Sequence, residues 1–234
     1  SFKNKTVLIT GASEGIGFAA AAAFGKSGAN VAICGRNAEK LEKAENSLKE
    51  MGIKTYAQTC DVSKTQQFRD FADNTEKNLG PIDIFINNAG YMPFVLLKDM
   101  DEEMLDTIMN INLKSVFVGS KIAFEKMKDR GGVIINASSF ASVIPTVGYT
   151  AYAAAKAAVS SLTRTSASEF APYGIRVLGY IPGFIDTALT KESQQINGEK
   201  LLEPISLRRY GNPDDIAGAL LFMASDLAGY ITGT

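Results

Sequence analysis

The sequence predicts an α/β protein with a single doubly wound parallel sheet and helices on both faces of that sheet. Short apolar runs rich in β-branched residues alternate with longer helical patterns along all 234 residues. Glycine and proline, as at Gly11, Gly52 and Gly80-Pro81, mark the ends of these segments. Because no change in composition divides the chain, we expect one domain over residues 1–234.

Four strands are predicted in the first half of the chain. The run TVLIT at residues 6–10 is typical of a buried strand and is followed by Gly11. The other three strands are predicted at residues 30–34, 53–58 and 82–86. Helices are predicted between them at residues 17–27, 37–51 and 63–79, the second with Asn37 as its N-terminal cap.

The second half continues the alternation. Two further strands are predicted at residues 132–136 and 175–181, and helices at residues 101–110, 113–127, 151–170 and 214–223. Six strands that alternate with helices favour a parallel sheet covered on both faces. Residues 184–206 are polar and weakly periodic, so we expect an irregular loop there. Its position after a strand end favours a substrate loop or lid; a mobile surface connection is the alternative.

Composition excludes several classes of protein. With 24 Lys plus Arg against 25 Asp plus Glu, the net charge is −1, which disfavours general nucleic-acid binding. The chain has no histidine, so Ser-His-Asp catalysis and histidine-based zinc sites are excluded within it, and we expect no metal. Two cysteines, Cys34 and Cys60, are too few for a disulfide framework and favour a reducing, cytoplasmic location. No apolar run is long enough to span a bilayer, so we expect no membrane association.

The turn after the first strand carries the first functional motif, TGASEGIG at residues 10–17. Glycines at this place let the backbone approach a pyrophosphate, and the helix that follows presents free N–H groups and a positive dipole end. A packing turn without a ligand is the alternative. The candidate dinucleotide contacts are Gly11, Ser13, Gly15, Ile16 and Gly17.

The residues at the end of the second predicted strand indicate whether the cofactor is NAD or NADP. NAD sites usually carry an acidic residue there to bind the ribose hydroxyls, but this chain has Gly35 followed by Arg36. A guanidinium can pair with a 2′-phosphate through two hydrogen bonds, which favours NADP. The alternative is an arginine that only faces solvent.

Two further motifs lie later in the chain. Asn87-Asn88-Ala89-Gly90 follows the fourth strand, where small and amide side chains can line a cofactor crevice. Tyr152 and Lys156 lie four residues apart on one face of a helix that carries few other charges. We expect the ammonium of Lys156 to lower the pKa of Tyr152 towards the working pH.

Together, TGASEGIG, NNAG, Tyr152-xxx-Lys156 and Pro182-Gly183 resemble the short-chain dehydrogenase/reductase family in its single-domain branch, a Rossmann-type fold, over essentially the whole chain. The resemblance implies that Tyr152 is the proton donor, that Lys156 holds the nicotinamide ribose and that Ser139 hydrogen-bonds the substrate carbonyl. It also implies that Asn112 organises a proton-relay water. The cofactor contacts that it implies are Gly11, Ser13, Gly15, Ile16, Gly17, Arg36, Asp61, Val62, Asn88, Ala89, Gly90, Tyr152, Lys156, Pro182, Gly183, Ile185 and Thr187.

The resemblance implies an enzyme that uses NADPH to reduce a ketone to a secondary alcohol, most like the 3-oxoacyl carrier-protein reductases and related carbonyl reductases. A 3-oxoacyl thioester is therefore one expected substrate. The alternatives are an alcohol or sugar dehydrogenase that uses NAD or NADP, and a dinucleotide-sensing regulator without turnover. An apolar substrate pocket is expected from residues 91–94 and 143–149, with ordinary core packing as the alternative.

The expected partners are a small carbonyl substrate and further copies of the chain. The resemblance implies a homotetramer or homodimer with contacts through the helices at residues 113–127 and 151–170, and a seventh strand beyond Thr234. Acyl carrier protein is acidic, and Lys126, Lys128 and Arg130 are candidates to receive it at the site entrance; a solvated helix end is the alternative. Tyr173 stands where relatives that serve carrier protein often have arginine, which counts against this partner.

Overall fold

The computed structural model covers residues 1–234 and describes every side chain except those of residues 197, 199 and 200. Six strands form one sheet in the order β3-β2-β1-β4-β5-β6, and every neighbouring pair is parallel. The strands are β1 (Thr6–Thr10), β2 (Asn30–Gly35), β3 (Thr55–Thr59), β4 (Ile82–Asn87), β5 (Gly132–Ala137) and β6 (Ile175–Tyr180). The predicted doubly wound fold is confirmed, since the chain begins in the middle of the sheet and extends it first to one side and then to the other.

Helices connect the strands and cover both faces of the sheet. They are α1 (Gly15–Lys26), α2 (Ala38–Glu50), α3 (Thr65–Leu79), α4 (Glu102–Met109), α5 (Ser115–Met127), α6 (Thr150–Phe170), α7 (Lys191–Asn197) and α8 (Pro213–Ala224). As expected, Asn37 caps α2, and its side chain accepts a hydrogen bond from the backbone N–H of Lys40.

The alternation of side chains along each strand divides the core into two layers. In β1, Val7 and Ile9 pack against the layer that contains α1, α2 and α8, whereas Leu8 faces the layer that contains α3, α5 and α6. All three side chains are fully buried. Burying an aliphatic side chain of this size stabilises the fold by about 1.5–3 kcal/mol. Both faces of the strand must therefore be apolar, which explains why TVLIT is continuously hydrophobic.

Two predicted helices are joined in the structure. The sequence predicted a break at residues 111–112, but α4 continues into α5 through a π-helical turn over Asn110–Lys114. This prediction was wrong because a π-turn inserts one extra residue without ending the helix. The side chain of Asn112 is buried in this turn and donates to the carbonyl of Ile108 at 2.9 Å.

The polar segment at residues 184–206 also differs from the expected irregular loop. It contains a 3₁₀ turn at Ala188–Thr190, helix α7 and a second 3₁₀ turn at Gly198–Leu202. Two hydrogen bonds between Thr187 and Thr190 stabilise the first turn, because the side chain of each residue accepts a hydrogen bond from the backbone N–H of the other. Short helical turns of this kind lack the apolar periodicity that would have indicated them. A smaller error concerns β3, which begins and ends later than the predicted 53–58.

The outer edge of β6 is bordered by the last residues of the chain. The N–H of Gly233 donates to the carbonyl of Val177 at 2.8 Å, and the N–H of Gly179 donates to the carbonyl of Thr234 at 2.7 Å. Cys34 and Cys60 are buried free thiols. Among the described residues, no helix combines the length and the apolar character that crossing a membrane requires.

Candidate active site

The candidate site lies at the carboxyl edge of the sheet, where β1 and β4 are neighbours. The chain leaves β1 towards α1 on one face and leaves β4 towards α4 and α5 on the other. A crevice opens between the two connections, and in doubly wound sheets ligands bind at such a crevice. The two glycine motifs, after β1 and after β4, therefore meet at one place.

A cavity of about 710 Å³ occupies this crevice, which is within the range of small-molecule and cofactor sites. Most of the predicted cofactor contacts line it: Gly11, Ser13, Gly15, Ile16, Arg36, Asp61, Val62, Asn88, Ala89, Gly90, Tyr152, Lys156, Pro182 and Thr187. Gly183 and Ile185 instead line a smaller adjoining cavity. Gly17 packs beneath the turn, where a Cβ atom would lie 2.5 Å from the carbonyl oxygen of Gly11.

The glycine-rich turn depends on residues without a side chain. Gly11 has a φ of +62°, and a Cβ atom there would lie 2.7 Å from the Cα of Ala89. The backbone of the turn can therefore approach the opposite wall of the crevice. No described side chain caps the first N–H groups of α1, which leaves these donors and the positive helix end available to an anionic group.

Hydrogen bonds join the two motif-bearing turns. The hydroxyl of Thr10 accepts hydrogen bonds from the backbone N–H groups of Asn88 and Ala89, both at 3.0 Å. The side-chain amide of Asn88 donates to the carbonyls of Thr10 and Gly11 at 2.9 and 3.0 Å. The phenol of Tyr180, at the end of β6, donates to Asn88 Oδ1 at 2.8 Å. The ends of three strands thus share one hydrogen-bond network.

The end of the cavity beside β2 and α2 carries two cations. Arg36 is exposed, and it has no ion-pair partner among the described side chains. Lys40 also lines the cavity, one turn into α2, and its Nζ lies 3.0 Å from both carboxylate oxygens of Glu14. Gly35 carries no acidic side chain, and a Cβ atom there would lie 3.1 Å from Ser13 Oγ, a contact that would require Ser13 to shift. The charge at this end is therefore suited to a phosphate group.

Tyr152 and Ser139 are brought together by α6 and by the turn after β5. Both side chains are buried, with exposed fractions of 5% and 4%. Burial raises the pKa of Tyr152, and a hydrogen bond with Ser139 lowers it by a smaller amount. The neighbouring Ser138 donates instead to the carbonyl of Lys156 at 2.9 Å. Ser139 is thus the serine that faces the phenol.

Lys156 lies on the same face of α6 as Tyr152. Its Nζ lies 5.7 Å from the centre of the Tyr152 ring and donates to the carbonyl of Ala137 at 2.8 Å. Burial lowers the pKa of Lys156 to about 8. The expected lowering of the Tyr152 pKa by Lys156 is not found, because desolvation of the phenolate outweighs the other effects on this group.

Asn112 is fully buried and contacts Tyr91, a residue that lines the large cavity. Its amide accepts a hydrogen bond from the N–H of Tyr91 at 3.1 Å and donates to the carbonyl of Tyr91 at 2.7 Å. A Cβ atom on Gly90 would lie 3.3 Å from Asn112 Oδ1 and 4.0 Å from Lys156 Nζ. Tyr152 and Lys156 therefore line the large cavity, Ser139 lines the smaller adjoining one, and Asn112 is buried beside Gly90.

The smaller cavity opens beside this cluster and has a volume of about 60 Å³. Ser139, Tyr152 and the predicted pocket residue Met92 line it, and Tyr152 and Met92 also line the large cavity. Its remaining walls are mainly apolar and come from the turns after β5 and β6, as with Phe140 and Phe184. Among the predicted loop residues at 143–149, Thr146 and Tyr149 line this cavity, whereas Val143, Ile144 and Val147 are exposed.

The basic residues expected at the site entrance lie elsewhere. Arg130 donates to the carbonyl of Ile82, the first residue of β4, so the end of α5 lies at the amino edge of the sheet. A crossover helix returns the chain to that edge, opposite the site, which is why this prediction was wrong. Lys126 forms ion pairs with Asp73 at 2.6 Å and with Glu76 at 2.9 Å. Lys128 lies on the same remote helix end.

Sequence reasoning missed two residues that contribute to the site. Lys40 lies in the first turn of the helix that follows the second strand, and the start of that helix is close to the carboxyl edge of the sheet, where a ligand would bind. Tyr180 is the last residue of a strand whose carboxyl end faces the crevice, and that position indicates a role in the site. Tyr149, by contrast, falls in the predicted pocket segment at residues 143–149 and lies at the start of α6, three residues before Tyr152.

Comparison with known proteins agrees with this architecture. A family model described as short chain dehydrogenase matches residues 5–197. The "3-oxoacyl-[acyl-carrier-protein] reductase FabG" of Chlamydia trachomatis is 39% identical over 232 residues, which cover 98% of this chain and 94% of the relative. The chain belongs to the short-chain dehydrogenase/reductase family and is an oxidoreductase.

Solved structures show the same fold at similar identity. Levodione reductase superimposes with a TM-score of 0.96 at 30% identity, covering 100% of this chain and 95% of the other. NAD⁺-bound xylitol dehydrogenase gives a TM-score of 0.95 at 30% identity, covering 100% and 96%. A nicotinamide dinucleotide is the cofactor of this family, and the glycine cradle, the uncapped start of α1 and the cations Arg36 and Lys40 fit such a group.

Replacing Tyr180 by phenylalanine tests the network between the strand ends. Tyr180→Phe removes the donor to Asn88 Oδ1, which is half-buried at the cavity, so we expect a loss of about 0.5–1.5 kcal/mol in the free energy of unfolding. Urea unfolding followed by circular dichroism measures this loss. The control is Tyr173→Phe at a half-exposed position, for which we expect a change within about 0.5 kcal/mol. Equal effects of the two substitutions would show that the Tyr180 hydroxyl does not support the network.

The lowered pKa of Lys156 predicts a pH-dependent cost of stability. Below pH 8 the amine of Lys156 is charged in both the folded and the unfolded protein, so burying the charge lowers the free energy of unfolding by the full amount. Between about pH 8 and 10.5 the amine is neutral in the folded protein but still charged in the unfolded one, so this loss of stability disappears as the pH rises. A difference of this size corresponds to roughly 3 kcal/mol. The stability of Lys156→Met relative to the wild type is therefore expected to be highest near pH 7 and to fall towards pH 10.

Urea unfolding at a series of pH values measures this trend. The control is Lys43→Met, whose side chain is 73% exposed and which should keep a constant difference from the wild type over the same range. A Lys156→Met difference that does not change with pH contradicts the burial argument.

Proposed function

We propose that this oxidoreductase uses NADPH to reduce a ketone to a secondary alcohol. The observation that carries the proposal is the position of Ser139, Tyr152 and Lys156, where a dinucleotide-sized cavity meets a smaller, mainly apolar one. A carbonyl group in the smaller cavity would lie beside the two hydroxyls, and its carbon would face the large cavity.

The hydroxyls of Ser139 and Tyr152 have distinct tasks in this proposal. Both donate hydrogen bonds to the carbonyl oxygen, and they stabilise the negative charge that develops there more than they stabilise the ground state. Tyr152 then transfers its proton to that oxygen. The chemistry that a bound nicotinamide supplies is hydride transfer to the carbonyl carbon.

Burial of Tyr152 and Lys156 suits this proton transfer. The raised pKa of Tyr152 keeps the phenol protonated near neutral pH, so the donor is available. Lys156, with a pKa of about 8, is mostly charged at pH 7, and we assign its ammonium to the ribose of the bound nicotinamide. We assign Asn112 to the path that returns a proton to Tyr152, since it holds the backbone of Tyr91 beside Gly90 and Lys156.

Two observations support NADPH over NADH. Arg36 is exposed at the cavity without a competing ion pair among the described side chains, and Gly35 stands where an acidic residue would favour NADH. Lys40 adds a second cation, although Glu14 neutralises part of its charge. Preference for NADH would favour the alternative of an alcohol or sugar dehydrogenase, a class to which the NAD⁺-bound xylitol dehydrogenase belongs by name.

We include 3-oxoacyl thioesters among the proposed substrates, because relatives at 36–39% identity carry the name of 3-oxoacyl carrier-protein reductase. The apolar walls of the smaller cavity are compatible with an acyl chain. The basic end of α5 gives no support to carrier-protein docking, since it lies at the opposite edge of the sheet. We also propose a homo-oligomer with contacts through α5 and α6, supported by Phe117 on α5, which is 57% exposed.

The proposed proton donor is tested by Tyr152→Phe. Removal of the hydroxyl eliminates proton transfer, so we expect kcat for ketone reduction to fall by roughly 100-fold or more. The dissociation constant of NADPH, measured by titration of its fluorescence, should change by less than about threefold, because the ring remains. Tyr173→Phe serves as the control for turnover. Normal turnover by Tyr152→Phe would refute the mechanism, and NADPH binding without turnover of any carbonyl by the wild type would favour a dinucleotide sensor.

The cofactor preference is tested by Arg36→Ala. A charged hydrogen-bond pair is worth about 1.5–3 kcal/mol, so we expect kcat/KM for NADPH to fall roughly 10- to 100-fold while that for NADH changes little. Steady-state kinetics with both cofactors measure the ratio. Lys43→Ala, on the exposed face of α2 and paired with Glu39, is the matched control. An equal loss with both cofactors would mean that Arg36 does not recognise the 2′-phosphate.

A further inference from the structure

The wall of the smaller cavity contains one buried polar atom that is not satisfied. Among the described side chains, the hydroxyl of Tyr149 is the buried polar atom without a hydrogen-bond partner. Tyr149 as a whole is only 4% exposed. Leaving a buried hydroxyl unpaired costs about 1–3 kcal/mol, so such a group requires an explanation, and a ligand that pairs with it is one.

The surroundings of Tyr149 hold the ring in place without satisfying its hydroxyl. The edge of the Phe94 ring packs against it, with ring centres 5.6 Å apart and planes at 82°. The backbone of Tyr149 is fixed as well, since its N–H donates to the carbonyl of Thr146 and its carbonyl accepts from the N–H of Ala153. The phenol therefore has a defined position at the start of α6, three residues before Tyr152.

Tyr149 lines the same small cavity as Ser139 and Tyr152. The proposed reaction occupies those two hydroxyls with a single carbonyl oxygen, and it gives the Tyr149 hydroxyl no partner. The neighbouring walls, such as Phe140, Ala141 and Phe184, offer apolar side chains. A ketone without a second polar group would leave the Tyr149 hydroxyl unpaired in the bound state, whereas a second oxygen on the substrate would satisfy it.

We propose that Tyr149 determines substrate specificity by donating a hydrogen bond to a second oxygen of the substrate, close to the carbonyl that is reduced. The substrate class is then a dicarbonyl compound, such as a 3-oxo ester or 3-oxo thioester, rather than a simple ketone. This inference rests on the proposed ketone reductase activity and names its substrate class. A site built to pair a substrate oxygen discriminates strongly against an analogue that lacks it.

Two substrates of equal chain length test the proposal. Ethyl 3-oxobutanoate carries a ketone and an ester carbonyl, and heptan-2-one has the same length of chain with the ketone alone. In Tyr149→Phe, we expect kcat/KM for ethyl 3-oxobutanoate to fall by roughly tenfold, the effect of one lost hydrogen bond of about 1.4 kcal/mol. For heptan-2-one we expect a change of less than about twofold. Equal effects on the two substrates, or no effect on either, would overturn the proposal.

A stability measurement separates this role from a structural one. Because the hydroxyl has no partner in the fold, Tyr149→Phe should unfold at the same temperature as the wild type or higher. A lower melting temperature would show that the hydroxyl serves the fold and would overturn the proposal. Tyr230→Phe, at a fully exposed position, is the control in both experiments and should match the wild type.

A binding experiment distinguishes this inference from the proposed function. If the wild type reduces neither compound, the proposed function fails. The affinity of the NADP⁺-saturated protein for each compound, measured by calorimetric titration, then tests whether Tyr149 binds a second substrate oxygen. Tighter binding of ethyl 3-oxobutanoate than of heptan-2-one, with the difference lost in Tyr149→Phe, supports the inference. Equal binding of both compounds by the wild type overturns it.

Discussion

The hydrogen bonds between Thr10 and Asn88 are the interaction on which the rest of the site depends. They join the turn after β1 to the turn after β4, across the crevice that a doubly wound sheet creates at its carboxyl edge. The side-chain amide of Asn88 also donates to the carbonyl of Gly11, so it fixes the backbone of the glycine-rich turn that lines the large cavity. Tyr180 extends the same network to β6 and so to the strand that carries Pro182 and Gly183 into the site.

The catalytic end of the site contains ionisable groups that are buried although their charged forms are more stable in water. Lys156 and Tyr152 are both buried, and desolvation shifts their pKa values in opposite directions, towards the neutral form of each. Perturbed groups of this kind gather at functional sites, where the fold accepts a local cost. The unpaired hydroxyl of Tyr149 is a third case within the same few residues of α6. These costs are offset by the two apolar layers that bury β1 and its neighbours.

Much of the fold and part of the site could be predicted, and the errors have definite physical causes. The six strands and most helices follow from periodicity, but the helix through Asn112 was divided in two because a π-turn has no periodic signature. Residues 184–206 have short helical turns held by Thr187 and Thr190 rather than by an apolar face. Lys126, Lys128 and Arg130 suggested a docking surface, yet the direction of α5 places them at the wrong edge of the sheet. The charge and composition of a segment do not show at which edge of the sheet the segment lies.

By itself, the sequence determined the fold class, the family and the positions of the two glycine motifs, because strand alternation and the need for glycine at a tight turn act between neighbouring residues. Only the tertiary structure decided which groups are buried and which partners they find. Tyr180 meets a residue 92 positions away, burial rather than a neighbour in sequence lowers the pKa of Lys156, and the Tyr149 hydroxyl is left without a partner. Burial and long-range contacts arise only when the elements pack, so no local pattern can express them.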